Sequence, residues 1–280
     1  MNRIARTIVS GFVMGFIFTC CGNLGYAQDR VSVNVAPSMV TVKEIFNVND
    51  DSGGAYKHRV SPVYLYASVE ISDGLTVRGR VALPNSLSAF PVQYMYRDDA
   101  KKTRSTDQYQ VKLGYSDWTL GMQWHPAKLF RSGYALVNYQ TTSYQRSADN
   151  ISGMVVNGEL VTNASVQYSY QTLQVGGGVA HEFRKFGFRA EATVAPVLSQ
   201  LNYHTKESND SGFLREEGYS NNGRGANMFA GVSYYVSSHV GLVGSLDLET
   251  FRYQNWFQRD NHMQPETRWS TYSFGVVTRF

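Results

Sequence analysis

After residue 28 alternation with a period of two is the dominant signal, and around each tight turn one of the two faces is apolar. Phe186, Phe188, Ala190, Ala192 and Val194 share one face, while Gly187, Arg189, Glu191 and Thr193 share the other. Near the C-terminus Tyr272, Phe274, Val276 and Phe280 alternate in the same way with Ser273, Gly275 and Arg279. Successive side chains of a β-strand point to opposite faces, so this pattern specifies strands with one wholly apolar side. A soluble sandwich also alternates, and alternation alone does not separate the two architectures. The turns sharpen the reading. Residues flanking a tight turn face each other on one side of the sheet. Arg184-Lys185 then pairs Phe183 with Phe186, His181 with Phe188 and Val179 with Ala190. Ser72-Asp73-Gly74 pairs Ile71 with Leu75, Val69 with Val77, Ala67 with Gly79 and Leu65 with Val81. Ser237-Ser238-His239 pairs Val236 with Val240, Tyr234 with Leu242 and Val232 with Gly244.

Between these tight turns lie long polar stretches, Asn47–Arg59, Ser147–Gly158, Thr205–Gly223 and Gln258–Thr267, read as loops. The pair Asn157-Gly158 suits a type I′ hairpin turn. Short turns at one end and long connections at the other are the habit of a transmembrane barrel, with the long connections outside the cell. Closure of the ring pairs every backbone donor and acceptor, which is the condition for strands to cross lipid. The expected fold is therefore all-β, a transmembrane antiparallel up-and-down β-barrel. Strand number depends on residues 60–139. Tyr109–Tyr115 and Trp118–Trp124 mirror each other about Ser116-Asp117, and folding there gives twelve strands, the favoured count. Reading Tyr109–Trp124 as one long strand, and Phe90–Tyr96 as a continuation of the strand before it, gives ten.

Composition narrows the class further. Only 17% of residues are charged, 14% are aromatic, and Gly (25) far outnumbers Pro (7). No apolar run of about 20 residues follows the first few dozen positions, which excludes a helical membrane protein. The only cysteines are Cys20 and Cys21, so neither a disulfide framework nor a Cys-based zinc site is available downstream.

Residues 1–27 read as a cleaved signal peptide. Arg3 and Arg6 form the basic region, residues 8–19 the apolar region, and Gly25-Tyr26-Ala27 the cleavage site before Gln28. Acylation at Cys20 or Cys21 is the rival reading, and Thr19 and Cys20 fit poorly before a lipidated cysteine. Removing Arg3 and Arg6 leaves 24 of the 26 basic residues against 22 acidic ones, too even a balance to suggest nucleic acid as a partner. Residues 28–280 form the expected barrel domain.

The last eight residues, Ser273 to Phe280, resemble the terminal strand of proteobacterial outer-membrane β-barrels, with Ser273, Gly275 and Phe280 matching. Thr278 departs from the usual bulky apolar residue. The resemblance implies a Gram-negative outer-membrane protein. Its implied partners are outer-membrane lipid and lipopolysaccharide, the barrel-assembly machinery and periplasmic chaperones. Omptin-like proteases share this architecture and carry an Asp-x-His pair facing an Asp-x-Asp pair. Here the comparable stretches read Asn202-Tyr203-His204 and Asp98-Asp99, so the catalytic motif is lacking. An Asn cannot hold an imidazolium as a carboxylate does. None of the six histidines has Ser two positions on, the pattern a barrel lipid hydrolase would carry. His58, His204 and His262 fall in predicted loops near acids and read as solvated side chains, and no metal site or cofactor is expected.

If the apolar faces look at lipid, Glu70, Arg78, Arg80, Lys112, Arg189, Glu191, Asp247, Glu249 and Arg279 point into the lumen. Opposite charges can pair there and plug it, whereas ten to twelve strands leave room for a narrow water path. The sequence reading is a non-enzymatic, porin-like barrel, either a narrow channel for a small solute or a structural or export component. A surface adhesin and a hydrolase are the alternatives.

Overall fold

The computed structural model describes residues 31–48, 52–72, 74–83, 89–97, 103–105, 109–126, 132–149, 155–156, 159–160, 163–209, 212–253, 256–258 and 261–280. The segment 1–27 read above as a signal peptide and the acids Asp50, Asp51, Asp98, Asp99 and Asp260 lie outside them. One sheet holds 14 strand segments. Two pairs of segments are collinear halves of one strand, and two are three-residue hairpin arms, so ten strands make the wall.

These ten are β1 (Val31–Val48), β2 (Ser52–Val60 with Val63–Ser72), β3 (Leu75–Leu83 with Ala89–Arg97), β4 (Tyr109–Trp124) and β5 (Gly133–Asp149). They continue as β6 (Asn163–Phe183), β7 (Phe186–Asn209), β8 (Gly212–Tyr235), β9 (Val240–Tyr253) and β10 (Asn261–Arg279). Each pairs antiparallel with the next, and β1 pairs with β10 from Ser32↔Arg279 to Val48↔Met263, closing the barrel. Reciprocal backbone bonds between Val31 and Phe280, 2.9 and 3.2 Å, finish the seam.

The twelve-strand expectation is corrected to ten. Ser116-Asp117 looks like a turn by residue type. Yet β4 runs straight through it, paired without a shift to β5 from Val111↔Ala148 to Trp124↔Ala135. Asp117 is buried at 1% exposure and serves an interior ion pair instead of a bend. Ala89–Arg97 lies between β2 and β4 and so prolongs β3. The expected loops are corrected as well. The stretches around 47–59, 205–223 and 258–267 are mostly strand, and β7 and β8 reach 24 residues each. At about 3.3 Å per residue that is roughly 80 Å of chain, whereas a tilted strand crosses lipid in about 9–11 residues. Val155–Val156 pairs with Glu159–Leu160 around the undescribed Asn157-Gly158, as a hairpin requires.

The tight turns gather at one end, with the start of β1 and the end of β10. Gly74 there has φ 82, and Arg184 holds φ 55 in the two-residue turn. The residue partners expected across the three turns are present from Phe183↔Phe186 and Val69↔Val77 to Tyr234↔Leu242, but Leu75 is a correction: a register shift beside the Gly74 turn pairs it with Ser72 and not with Ile71.

From this end upward the outer face is apolar for about nine residues. In β8 the band is Tyr234, Val232, Ala230, Met228 and Ala226, and the same face then turns polar at Arg224, Asn222 and Ser220. In β9 Val240 to Leu248 gives way to Thr250 and Arg252, and in β10 Phe280 to Tyr272 gives way to Ser270 and Arg268. In β4 the outward Trp124 and Trp118 stand at the two edges of the band, and Trp118 packs on Tyr139 with ring centroids 5.4 Å apart. Nine residues is the crossing length of a tilted strand. β2 breaks at Ser61-Pro62 and β7 shifts register around Pro196, both near the upper edge of this band. Proline has no N–H to give the ladder.

Candidate functional site: a lumen closed in two layers

The inner face reverses this order. At the level of the apolar band the lumen is polar and charged, and above the band it is aromatic. At the turn end a vestibule of about 320 Å³ is lined by Ser32, Asn34, Ser68, Ser233, Ser245 and others. Arg279 at its rim pairs with Glu182 (Nη1···Oε2 3.1 Å) and stacks over Tyr235 at 3.8 Å.

Above the vestibule, three guanidiniums and four carboxylates meet across the barrel. Arg80 of β3 reaches Asp117 of β4 (2.9 Å), Asp247 of β9 (2.8 Å) and Glu249 of β9 (3.8 Å). Arg78 forks onto Glu191 of β7, with Nη2···Oε2 at 2.8 Å, and Arg189 joins the same carboxylate. Neutral side chains complete the set. Tyr134 donates to Glu191 (2.7 Å), Thr142 to Asp117 (2.7 Å), and Asn227 to Asp247 (2.6 Å) and Glu249 (3.1 Å). Gln140 donates to Asp117 and Glu249, both at 3.3 Å. Such bonds offset the desolvation that otherwise makes a buried ion pair unfavourable. Enclosed by the network is a cavity of about 100 Å³, bordered by Arg80 and Thr119.

The second layer lies above. Tyr144 stacks on Tyr168 at 4.6 Å, and Trp269 meets Tyr144 and Tyr170 edge-on at 5.7 and 5.5 Å. Val40, Val42, Phe251 and Ala195 pack into the same buried cluster. Tyr64 ties the layers together: its hydroxyl bonds Tyr115 (2.6 Å), and Arg80 sits 5.1 Å over its ring. On the outside at this level stand Ser169, Gln171, Arg268 and Ser270. At this level the wall is therefore polar outside and aromatic inside.

Of the residues expected in the lumen, Arg78, Arg80, Arg189, Glu191, Asp247 and Glu249 stand together in the charged layer. Arg279 lies at the turn end. Glu70 is half-buried opposite Thr76. Arg78 and Arg80 engage Glu191 and the Asp117, Asp247, Glu249 group. Lys112 is a correction: because β4 does not fold at Ser116-Asp117, position 112 falls in phase with the outward Trp118, and its side chain lies outside the described ones. Asp117, Tyr134, Asn138, Gln140 and Asn227 escaped sequence reasoning. Asn138, Gln140 and Thr142 did carry a signal, since they alternate with Val137 and Tyr139.

The three histidines expected in loops belong to strands of the upper extension. His58 pairs with Val42, His204 with Gln167 and Gly218, and His262 with Phe257. In the terminal strand, Ser273 accepts a hydrogen bond from Ser38 (2.7 Å), and Gly275 lies so close to the Val35 carbonyl and Ala36 that no Cβ fits. Phe280 is exposed on the outer face.

No protein-family model and no curated protein matches the sequence. Solved structures do match in shape. The outer membrane protease OmpT from Escherichia coli superimposes with TM-score 0.62 at 9% identity, over 92% of this chain and 99% of that one. The translocator domain of the autotransporter NalP from Neisseria meningitidis gives 0.47 at 12% identity, over 99% and 98%. Ail, the attachment invasion locus protein of Yersinia pestis, gives 0.33 at 9% identity, over 91% and 100%. With its wall closed on ten strands, the chain has the fold of the outer-membrane β-barrels.

Proposed function

We propose that the protein is an integral outer-membrane barrel whose lumen is shut, and that it serves as a non-enzymatic structural platform. Its working surface is the β-extension standing above the lipid. The observation that carries this reading is the double closure, an ionic layer spanned by Arg80 beneath an aromatic layer centred on Tyr144 and Trp269. The nine-residue apolar band supports placement in a bilayer, and the alternation of Ser273, Gly275 and Phe280 supports recognition by the barrel-assembly machinery. An Asn at position 202, two residues before His204, argues against omptin-like proteolysis.

The narrow channel is the second reading. What favours it is that the vestibule and the 100 Å³ cavity share Tyr66, Arg78, Arg189 and Phe229 in their walls, which leaves the aromatic layer as the main barrier. Single-channel recording of the refolded mature chain in a planar bilayer separates the two. The platform reading expects a silent wild type, and a Tyr144→Ala/Trp269→Ala variant that stays shut because the ionic layer beneath is intact. Regular openings of the wild type, altered by Arg78→Glu, overturn it in favour of the channel.

A further inference from the structure

Just above the apolar band, five consecutive strands each turn a cation outward. These are Arg224 on β8, Arg252 on β9, Arg268 on β10, Lys43 on β1 and Arg59 on β2. The register sets like charges face to face: Arg224 is directly opposite Arg252, and Lys43 directly opposite Arg268. Like charges in directly opposed positions destabilise a sheet. Glu266 answers part of this, bridging Arg252 (3.1 Å) and Arg268, and it is the one carboxylate ion-paired to the row among the described residues. The side chains of Arg252 and Arg268 nevertheless remain 69% and 52% exposed. Across the barrel, β4 to β6 carry Ser116, Ser143, Gln145, Ser169 and Gln171 at the comparable level, all uncharged.

We propose that this row is a binding site for the phosphates of an acylated glycolipid of the outer leaflet. The neighbours below it, Met39, Leu248 and Tyr272, are exposed apolar side chains that acyl chains would cover. A ligand that suits the row is thus anionic at the level of the cations and hydrocarbon immediately beneath. Five strands about 4.8 Å apart span roughly 19 Å, the scale of a headgroup bearing more than one phosphate and too wide for a single ion. Guanidinium groups, four of the five cations, bind phosphate oxygens through paired N–H donors. The cost of facing like charges is relieved when an anion lies between them. The site rests on the membrane placement proposed above and is independent of whether the lumen is shut.

The test uses the refolded protein in zwitterionic detergent with a chelator present, so that no divalent cation bridges the partners. Binding of lipopolysaccharide, of the same lipid after dephosphorylation, and of inorganic phosphate is measured. The expected result is salt-sensitive binding of the phosphorylated lipid. It weakens about tenfold or more on dephosphorylation and in the Lys43→Gln/Arg224→Gln/Arg252→Gln/Arg268→Gln variant. Inorganic phosphate should not compete. Equal affinity for both lipid forms, binding indifferent to salt, or full competition by inorganic phosphate each overturns the proposal. The salt series needs only the wild type, so the answer does not depend on the variant folding. Protein that inserts into phosphatidylcholine vesicles but does not discriminate between the lipid forms sinks the site alone, whereas protein that inserts into no vesicle sinks the placement as well.

Discussion

Arg80 shows how unequal the members of one ion network can be. It is the cation facing Asp117, Asp247 and Glu249, and the whole layer has one carboxylate more than it has guanidiniums. Removing the arginine leaves buried acids uncompensated, so Arg80→Ala should cost about 3–5 kcal/mol, read as a shift in the urea midpoint of the refolded protein. Removing one acid relieves the imbalance instead. Asp247→Asn keeps the shape and should cost less than about 1 kcal/mol; a loss as large as that of Arg80→Ala would refute this ordering of the network. Gly275 is a different sort of single point. Its strand lies against Val35 and Ala36 with no room for a Cβ, so Gly275→Val should push β10 off β1 and open the seam. The expected readout is loss of the heat-modifiable band on a cold gel, and Ser273→Ala, which removes side-chain hydrogen bonds but leaves the strand contact unchanged, should retain it.

At the scale of strands, the upper hairpin of β7 and β8 is paired to its tip, from Tyr203↔Tyr219 through Asn209↔Gly212. The apolar band ends well below. Replacing residues 204–218 by Asn-Gly, which joins register partners through a favoured hairpin turn, should leave insertion and folding intact. Failure of that variant to fold would mean the tip takes part in assembly and is not simply displayed.

This same region marks where the sequence stopped being legible. Below the boundary, Phe186, Phe188, Ala190, Ala192 and Val194 alternate cleanly because one face belongs to the outer apolar band and the other lines a polar lumen. Those strands, their turns and most of the charged layer could be read directly. Above it both faces carry Tyr, Ser, Asn and Gln, since the outside meets water and the inside is tyrosine-rich, so the contrast that reveals period two disappears. Stretches such as 205–223 consequently resembled loops. Asp117 was lost for a related reason: a Ser-Asp pair has the same composition in a turn and in a buried ion pair, and only the opposing strands decide.

For the molecule as a whole, the arrangement predicts where lipid touches it. Trp118 and Trp124 face outward within the band, at 39% and 56% exposure, while Trp269 is buried inside the barrel. In variants retaining one tryptophan each, brominated lipid should quench the fluorescence of Trp118 and Trp124 and spare Trp269. Strong quenching of Trp269 would place the membrane elsewhere on the wall.

The reversal of inside and outside along each strand also bears on how such a protein can change over generations. In β8, Met228 and Asn222 lie six residues apart on one face, yet in the proposed membrane placement one answers to oil and the other to water. Selection on the upper wall then follows the rules of a soluble protein, and selection on the lower wall those of a membrane protein. Because the two regimes meet at a narrow joint around Tyr64 and Arg80, descendants can rewrite what faces the surroundings while inheriting the anchor unaltered.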